Sequence, residues 1–185
     1  MIILKMSGEQ KHDGSSLAIQ QPVHKIYPRN LKFTWGDNPN YWKLPDLSSD
    51  GPAELKRVCW LQVTGTTQVE TGKSYIIKFN ITLKSDASGW NGLPLFLIAK
   101  THDGKYTWQM INALKPPTTG TDAGFDIPTD EKQFTVKIPA GPGPGKRELF
   151  FGLYEIWSNK WKGGLLINYA TVKEVSSPNQ AFVCA

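Results

Sequence analysis

Residues 73–84 read KSYIIKFNITLK, and this stretch decides the class of fold. Apolar side chains recur at every second position, while polar ones occupy the positions between them. A period of two places alternate side chains on opposite faces of a β-strand. The apolar face comprises Tyr75, Ile77, Phe79, Ile81 and Leu83. The stretch therefore predicts a strand with one face in a core and the other in solvent.

The same period recurs along most of the chain. Residues 132–138, KQFTVKI, repeat it with Phe134, Val136 and Ile138 on the apolar face. Further stretches rich in β-branched and aromatic residues predict strands; they are residues 31–36, 57–67, 93–101, 105–112, 147–157 and 164–175. Only residues 53–55 suggest a short helical turn. About eight alternating strands predict an all-β fold, an antiparallel β-sandwich of jelly-roll-like form.

The length of 185 residues fits one domain. Residues 1–25 and 176–185 lack periodicity, so we expect a flexible N-terminal extension, a domain over residues 26–175 and a C-terminal tail. The N-terminus lacks the apolar core of about 7–15 residues that a secretory signal needs. No stretch approaches the roughly 20 apolar residues of a membrane span. These patterns predict a cytoplasmic protein without a membrane span.

Sequence motifs for common enzyme and cofactor chemistry are missing. The chain has no GxxxxGK[ST], no GxGxxG after a strand, no GxSxG and no CxxC. We therefore expect no cofactor, no metal site and no enzymatic activity. The net charge of +5 is spread out, with basic pairs no longer than Lys56-Arg57 and Lys146-Arg147. That balance permits weak attraction to anions without requiring nucleic acid.

An aromatic cluster occupies residues 33–42, FTWGDNPNYW. Trp35, Tyr41 and Trp42 flank a turn-forming centre, and a loop cannot easily bury two indoles. Either one Trp closes the end of the sandwich, or the rings form a platform for a sugar. The C–H groups of a pyranose face pack on an indole while the polar edges of the sugar stay free for hydrogen bonds.

A second cluster, residues 147–161, reads RELFFGLYEIWSNKW and contains two carboxylates. Glu148 and Glu155 are seven residues apart, so a regular strand points them to opposite faces and leaves Glu155 on the apolar one. An unpaired carboxylate is costly there. Either Gly152 marks a bulge that returns both to one face, or Glu155 pairs with a cation. The cations considered for that pair are Arg57, Arg147 and Lys160. A ligand-facing Glu155 would accept hydrogen bonds from sugar hydroxyls and an acetamido N–H.

Three stretches together resemble the phloem protein 2, or Nictaba-like, family of plant lectins. They are TWGDNPNYW (34–42), ELKRVCWLQV (54–63) and GLYEIWSNKWKGGLLI (152–167). The likeness is closest to cucurbit phloem lectins and covers roughly residues 26–175. It implies a β-sandwich in the cytosol or phloem sap of sieve elements that forms homodimers. It also implies a lectin that binds N-acetylglucosamine oligomers, such as chitin fragments and N-glycan cores.

The resemblance further implies which residues form the sugar site. In the family, two Trp of the first motif and two acidic residues of the last are held to make it, and they match Trp35, Trp42, Glu148 and Glu155. Neighbours that we expect to contribute are Asn38, Tyr41, Asn159, Lys160 and Trp161. Family members from sieve elements can be cross-linked to filament protein by disulfides, and Cys184 is positioned for such a link.

Two other functions deserve a test. An RNA-binding phloem transport protein would use basic charge and exposed aromatic rings that stack on bases, although the chain has no arginine-rich strip. A glycoside hydrolase would use Glu148 and Glu155 as its carboxylate pair. That chemistry needs the two groups about 5–5.5 Å or about 6.5–9.5 Å apart.

Overall fold

Two antiparallel sheets account for the strands of the computed structural model, which describes residues 23–114, 123–141, 143 and 145–175. The strands within those ranges are β1 (Val23–Ile26), β2 (Lys32–Phe33), β3 (Trp42–Lys43), β4 (Ala53–Leu55), β5 (Leu61–Glu70), β6 (Ser74–Ser88), β7 (Leu95–Lys100), β8 (Tyr106–Ile111), β9 (Phe125–Ile127), β10 (Phe134–Lys137), β11 (Lys146–Glu155) and β12 (Gly163–Glu174). Short 3-10 helices cover Pro28–Asn30 and Asp130–Lys132. Within the same ranges, no helix has the length and apolar character that crossing a bilayer requires.

The larger sheet has seven strands in the order β10-β6-β12-β4-β3, with β1 added to β12 and β9 added to β6. The smaller sheet has five strands in the order β2-β5-β11-β7-β8. Every pairing between these strands is antiparallel. The predicted all-β antiparallel sandwich is confirmed.

The core lies between the two sheets and follows the alternation seen in the sequence. All five apolar side chains of the 73–84 stretch are buried, as are Phe134, Val136 and Ile138. The rings of Phe79 from the larger sheet and Phe151 from the smaller one lie 6.0 Å apart across the core. Burying these faces is the main favourable contribution to folding.

Three short strands fall where the sequence predicted other structure. Residues 53–55, expected as a helical turn, form β4 against β12. Residues 42–43 form β3 at the end of the expected loop. Residues 23–25, predicted to belong to the N-terminal extension, form part of β1, which pairs with β12. Strands this short are defined by their partner rather than by local propensity. The remaining terminal residues, including Cys184, lie outside the described ranges.

The register of β11 settles the question about its two glutamates. β11 pairs with β5 without interruption from Lys146 opposite Glu70 to Glu155 opposite Leu61. The predicted bulge at Gly152 is therefore wrong; the register shifts lie in β12 instead. Glu148 and Glu155 consequently point to opposite faces and are about 23 Å apart along the strand.

Candidate functional site

The loop between β2 and β3 presents Trp35 to solvent. Asn38 organises this loop: its Oδ1 accepts a hydrogen bond from the Asn40 amide at 2.9 Å. Its carbonyl accepts bonds from the Tyr41 and Trp42 amides at 2.9 and 3.1 Å. The Trp35 ring is 45% exposed and its centroid is 5.5 Å from that of Tyr41. The loop thus displays one indole beside one phenol.

Trp35 adopts a left-handed backbone conformation with φ of 61°. This conformation costs an L-residue about 1–2 kcal/mol, and it persists only where the surrounding structure holds it. The Gly36 amide bonds the Phe33 carbonyl and the Asn38 amide bonds the Trp35 carbonyl, at 3.0 and 3.1 Å. The ring is therefore held in an exposed position before any ligand arrives.

Trp42 has the opposite environment. It is only 2% exposed, and its ring packs edge-on against Phe33 at 4.7 Å. Its indole N–H donates to the Thr34 carbonyl at 3.1 Å, which ties the two ends of the loop together. The prediction that Trp42 offers a ring face to a sugar is wrong, because no face reaches solvent. The alternative that one Trp closes the end of the sandwich is confirmed.

Glu155 is also buried, at 2% exposure. One carboxylate oxygen lies 2.5 Å from Lys162 Nζ, and the Lys162 side chain is fully buried. The amide and hydroxyl of Ser158 donate to the two carboxylate oxygens at 3.1 and 2.9 Å. The alternative of a cation pair is confirmed, although its partner is Lys162 and not one of the three cations considered. A ligand-facing Glu155 is contradicted, because protein donors occupy both oxygens.

The buried Glu155–Lys162 pair holds a loop in place. Lys162 Nζ also donates to the carbonyls of Cys59 and Lys160, at 2.8 and 2.9 Å. The backbones of Val58 and Lys162 exchange two hydrogen bonds of 2.9 and 2.8 Å. Through these contacts the pair joins loop 156–161 to segment 56–60. Its role is to position the loop.

Segment 56–58 also connects this loop to the Trp35 loop. The Lys56 amide donates to the Tyr41 carbonyl at 2.8 Å. On the other side, the Arg57 guanidinium lies 5.0 Å from the ring centroid of Trp161, which is 49% exposed. Both loops thus contact segment 56–58 at one end of the sandwich. We call their outer face the end surface, made of Trp35, Tyr41, Arg57, Asn159, Lys160 and Trp161.

Two polar members of the end surface, Asn159 and Lys160, are exposed. Asn159 is exposed, and its φ of 54° is a left-handed conformation that asparagine tolerates well. Lys160 is exposed, while its amide donates to Ser158 Oγ at 3.2 Å. The end surface therefore combines two half-exposed indoles with amide, ammonium and guanidinium groups. This combination provides flat apolar faces edged with hydrogen-bond donors.

Glu148 does not join the end surface. It is exposed on the outer face of β11 opposite Gln68, at the far end of the strand from Glu155. The predicted grouping of Glu148 with the aromatic loop is wrong, because the regular strand separates them. The separation also exceeds the spacing that a glycosidase pair needs. The two glutamates cannot act together on one glycosidic bond.

Sequence reasoning missed two residues that shape this site. Arg57 was considered only as an ion-pair partner, and Lys162 only as part of the motif at residues 152–167. One feature of the sequence could have drawn attention to Lys162: it lies between Trp161 and the apolar strand that follows. Its pairing with Glu155 depends on how the seven-residue segment 156–162 turns between β11 and β12, which no local pattern specifies.

The fold and the end surface define an antiparallel β-sandwich that displays aromatic side chains on loops at one end. The chain belongs to the phloem protein 2 family, whose family model matches residues 23–173. Protein PHLOEM PROTEIN 2-LIKE A9 of Arabidopsis thaliana is 41% identical over 155 residues, covering 80% of this chain and 85% of that protein. A lectin of Luffa acutangula is 32% identical over 99 residues, which cover 50% of this chain and 47% of that protein.

A solved structure supports the fold. The Podospora anserina GH26-CBM35 β-(1,4)-mannanase superposes with a TM-score of 0.51 over 87% of this chain and 29% of that one. The sequences are 9% identical, so the likeness concerns the fold alone.

Proposed function

We propose that this protein is a non-catalytic lectin that binds N-acetylglucosamine oligomers, such as chitin fragments and N-glycan cores, at the end surface. The observation that carries the proposal is the pair of half-exposed indoles, Trp35 and Trp161, which come from separate loops joined at one end of the sandwich. Membership of the phloem protein 2 family and the likeness to a Luffa lectin support it.

The chemistry of the end surface suits an acetylated sugar. Indole faces pack against the C–H groups of a pyranose ring and against an acetamido methyl group. The Asn159 amide both donates and accepts, so it can bond the acetamido N–H or carbonyl. Arg57 and Lys160 donate to hydroxyls. No carboxylate is needed at this surface, which revises the part first assigned to Glu148 and Glu155.

The affinity of one such open site is expected to be weak, in the millimolar to micromolar range, or about 4–8 kcal/mol. A homodimer with two end surfaces would gain avidity on polymeric chitin or clustered glycans. We place this activity in the cytoplasm, in phloem sap and sieve elements, on the strength of the family. RNA binding stays a prediction of the sequence.

Replacing Trp35 with alanine is expected to weaken binding of chitotriose by about tenfold or more, because an aromatic platform at the centre of a site dominates its affinity. Trp161→Ala should have a similar effect. Isothermal titration calorimetry on the full chain measures both. The free energy of unfolding should change by less than about 1 kcal/mol in Trp35→Ala, because its ring is largely solvated.

Trp108→Ala is the matched control, since Trp108 is 65% exposed on β8 and lies outside the end surface. It should bind chitotriose like the unaltered protein. Undiminished binding by both Trp35→Ala and Trp161→Ala would refute the proposed site. An equal loss of chitotriose binding in Trp108→Ala would show that the site lies on the face of the sheet instead.

Chitohexaose incubated with the protein is expected to be recovered intact, because the end surface carries no pair of carboxylates at catalytic spacing. Mass spectrometry of the sugar over a day at several pH values measures this. Protein heated until unfolded serves as the control. Shortened oligomers formed only by the folded protein would contradict the non-catalytic assignment.

A further inference from the structure

The outer face of the five-stranded sheet carries a cavity that shares no lining residue with the end surface. Its volume is about 360 Å³. The strand register arranges the outward side chains in rows across the sheet. One row runs Tyr106, Lys100, Phe150 and Thr66, and the next runs Trp108, Ile98, Gly152, Thr64 and Lys32. The cavity lies over these two rows.

The floor of the cavity depends on Gly152. A Cβ atom at this position would lie 2.7 Å from Cε2 and 2.9 Å from the hydroxyl oxygen of Tyr154. The phenol ring of Tyr154 therefore lies over β11, in the space that a side chain at position 152 would occupy. Gly152 and the ring of Tyr154 make a depression between the flanking strands. Burial and, to a smaller extent, the nearby Tyr106 raise the pKa of Tyr154 further above neutral pH, where its hydroxyl is protonated and can donate.

Cations stand on both sides of this depression. Lys32 is exposed on the edge strand β2, and Lys100 comes from β7 on the other side of β11. The ammonium group of Lys100 lies 5.3 Å from the ring centroid of Tyr106. None of the described residues that line the cavity is acidic. The nearest acid on this face in the register is Glu148, one row beyond Phe150.

The remaining lining groups are aromatic rings and neutral hydroxyls. Phe150 is 45% exposed and Tyr106 is 65% exposed, so both offer ring faces. Thr64, Thr66 and Tyr154 add hydroxyls that donate and accept. A pyranose ring with several hydroxyls and one carboxylate satisfies all three kinds of group. Nucleic acid would be favoured by a continuous basic track, whereas two separated lysines and a hydroxyl-lined wall favour the acidic sugar.

We propose that the outer face of the five-stranded sheet is a second binding site, specific for a uronate-containing oligosaccharide. The sugar rings lie over Gly152 and Tyr154, and the carboxylates of different uronate units face Lys32 and Lys100, which lie on strands three steps apart in the sheet. This site is independent of the end surface and would persist if the proposed binding of N-acetylglucosamine oligomers failed.

Calorimetric titration of the full chain with oligogalacturonate and with its methyl ester tests the site. The ester keeps the sugar backbone and removes the charge, so it should bind about fivefold or more weakly. Lys32→Gln and Lys100→Gln should each weaken binding of the free acid by about fivefold. Both variants should bind chitotriose unchanged. Glu148→Gln should bind the acid equally or more tightly, because it removes a neighbouring negative charge.

Lys137→Gln is the matched control, since Lys137 is an exposed lysine on β10 of the opposite sheet. It should bind oligogalacturonate normally; an equal loss there would show attraction to net positive charge only and overturn the site. Equal affinity for the acid and the ester would also overturn it. Two further results would overturn the site, because each assigns this face to another partner. One is binding of single-stranded RNA that is tighter than binding of oligogalacturonate and is abolished by Lys100→Gln. The other is a dimer that Tyr106→Ala converts to a monomer.

Discussion

Glu155→Ala is expected to lower the free energy of unfolding by about 3–5 kcal/mol, because it leaves a lysine buried without its counter-ion. The Lys162 side chain is fully buried and the Glu155 side chain is 3% exposed, with the charged atoms 2.5 Å apart. After the change, Lys162 would keep only two carbonyl acceptors. A loss of this size is a large part of the stability of a typical domain. Urea denaturation followed by tryptophan fluorescence measures it.

Two comparisons make this expectation specific. Glu54 pairs with Lys84 at 2.9 Å between β4 and β6, where both side chains are partly exposed. Glu54→Ala should cost less than about 1 kcal/mol. Replacing both buried partners, Glu155→Leu with Lys162→Met, should recover much of the stability lost in Glu155→Ala, because no unpaired charge remains.

A further variant, Glu155→Gln, distinguishes a positioning role for Glu155 from direct contact with the ligand. Glu155→Gln keeps an oxygen for Ser158 and should reduce chitotriose binding only as far as it destabilises the loop. If Glu155→Gln abolished binding while its unfolding transition stayed unchanged, Glu155 would have to reach the sugar. That outcome would contradict the buried placement.

Trp42→Ala is expected to cost about 3–5 kcal/mol, since it empties the space of a large buried ring. The change removes the edge-on contact with Phe33 and the hydrogen bond to the Thr34 carbonyl. For a domain of this size the melting temperature should fall by roughly 10 °C. Differential scanning calorimetry measures the shift.

Trp42→Phe and Trp35→Ala are the informative controls. Phenylalanine keeps most of the packing and loses the hydrogen bond, so Trp42→Phe should be less damaging than Trp42→Ala. Trp35→Ala should leave the melting temperature nearly unchanged while weakening chitotriose binding. If Trp42→Ala unfolded like the unaltered protein but lost binding, Trp42 rather than Trp35 would supply the ring face.

We expect different effects for Trp35 and Trp42, and the sequence alone could not distinguish the two residues. The motif predicted a loop with two Trp and left open whether one of them closes the sandwich. The backbone decided that question, because φ of 61° turns Trp35 outward while Trp42 enters β3 with its side chain inward. Such a dihedral is imposed by the contacts of the loop ends and not by residue type.

The same limit applies to the glutamates of β11. The period of two correctly predicted opposite faces for Glu148 and Glu155 in a regular strand, and it left open whether a bulge or a cation pair accommodates Glu155. The family resemblance nevertheless grouped Glu148 and Glu155 with the Trp residues in one site. The uninterrupted register of β11 shows that Glu148 is too far along the strand to take part.

The sequence by itself determined the all-β sandwich and the inward faces of its long strands, because burial of alternate side chains is a local pattern with a single period. Tertiary structure alone decided the short strands, the Glu155–Lys162 pair and the joining of two loops into the end surface. The short strands and the joined loops depend on contacts between segments far apart in the chain, and the ion pair depends on a turn whose Lys162 is also bonded to the distant Cys59 carbonyl. Their energies come from the partner that the fold supplies, so no single stretch of sequence contains them.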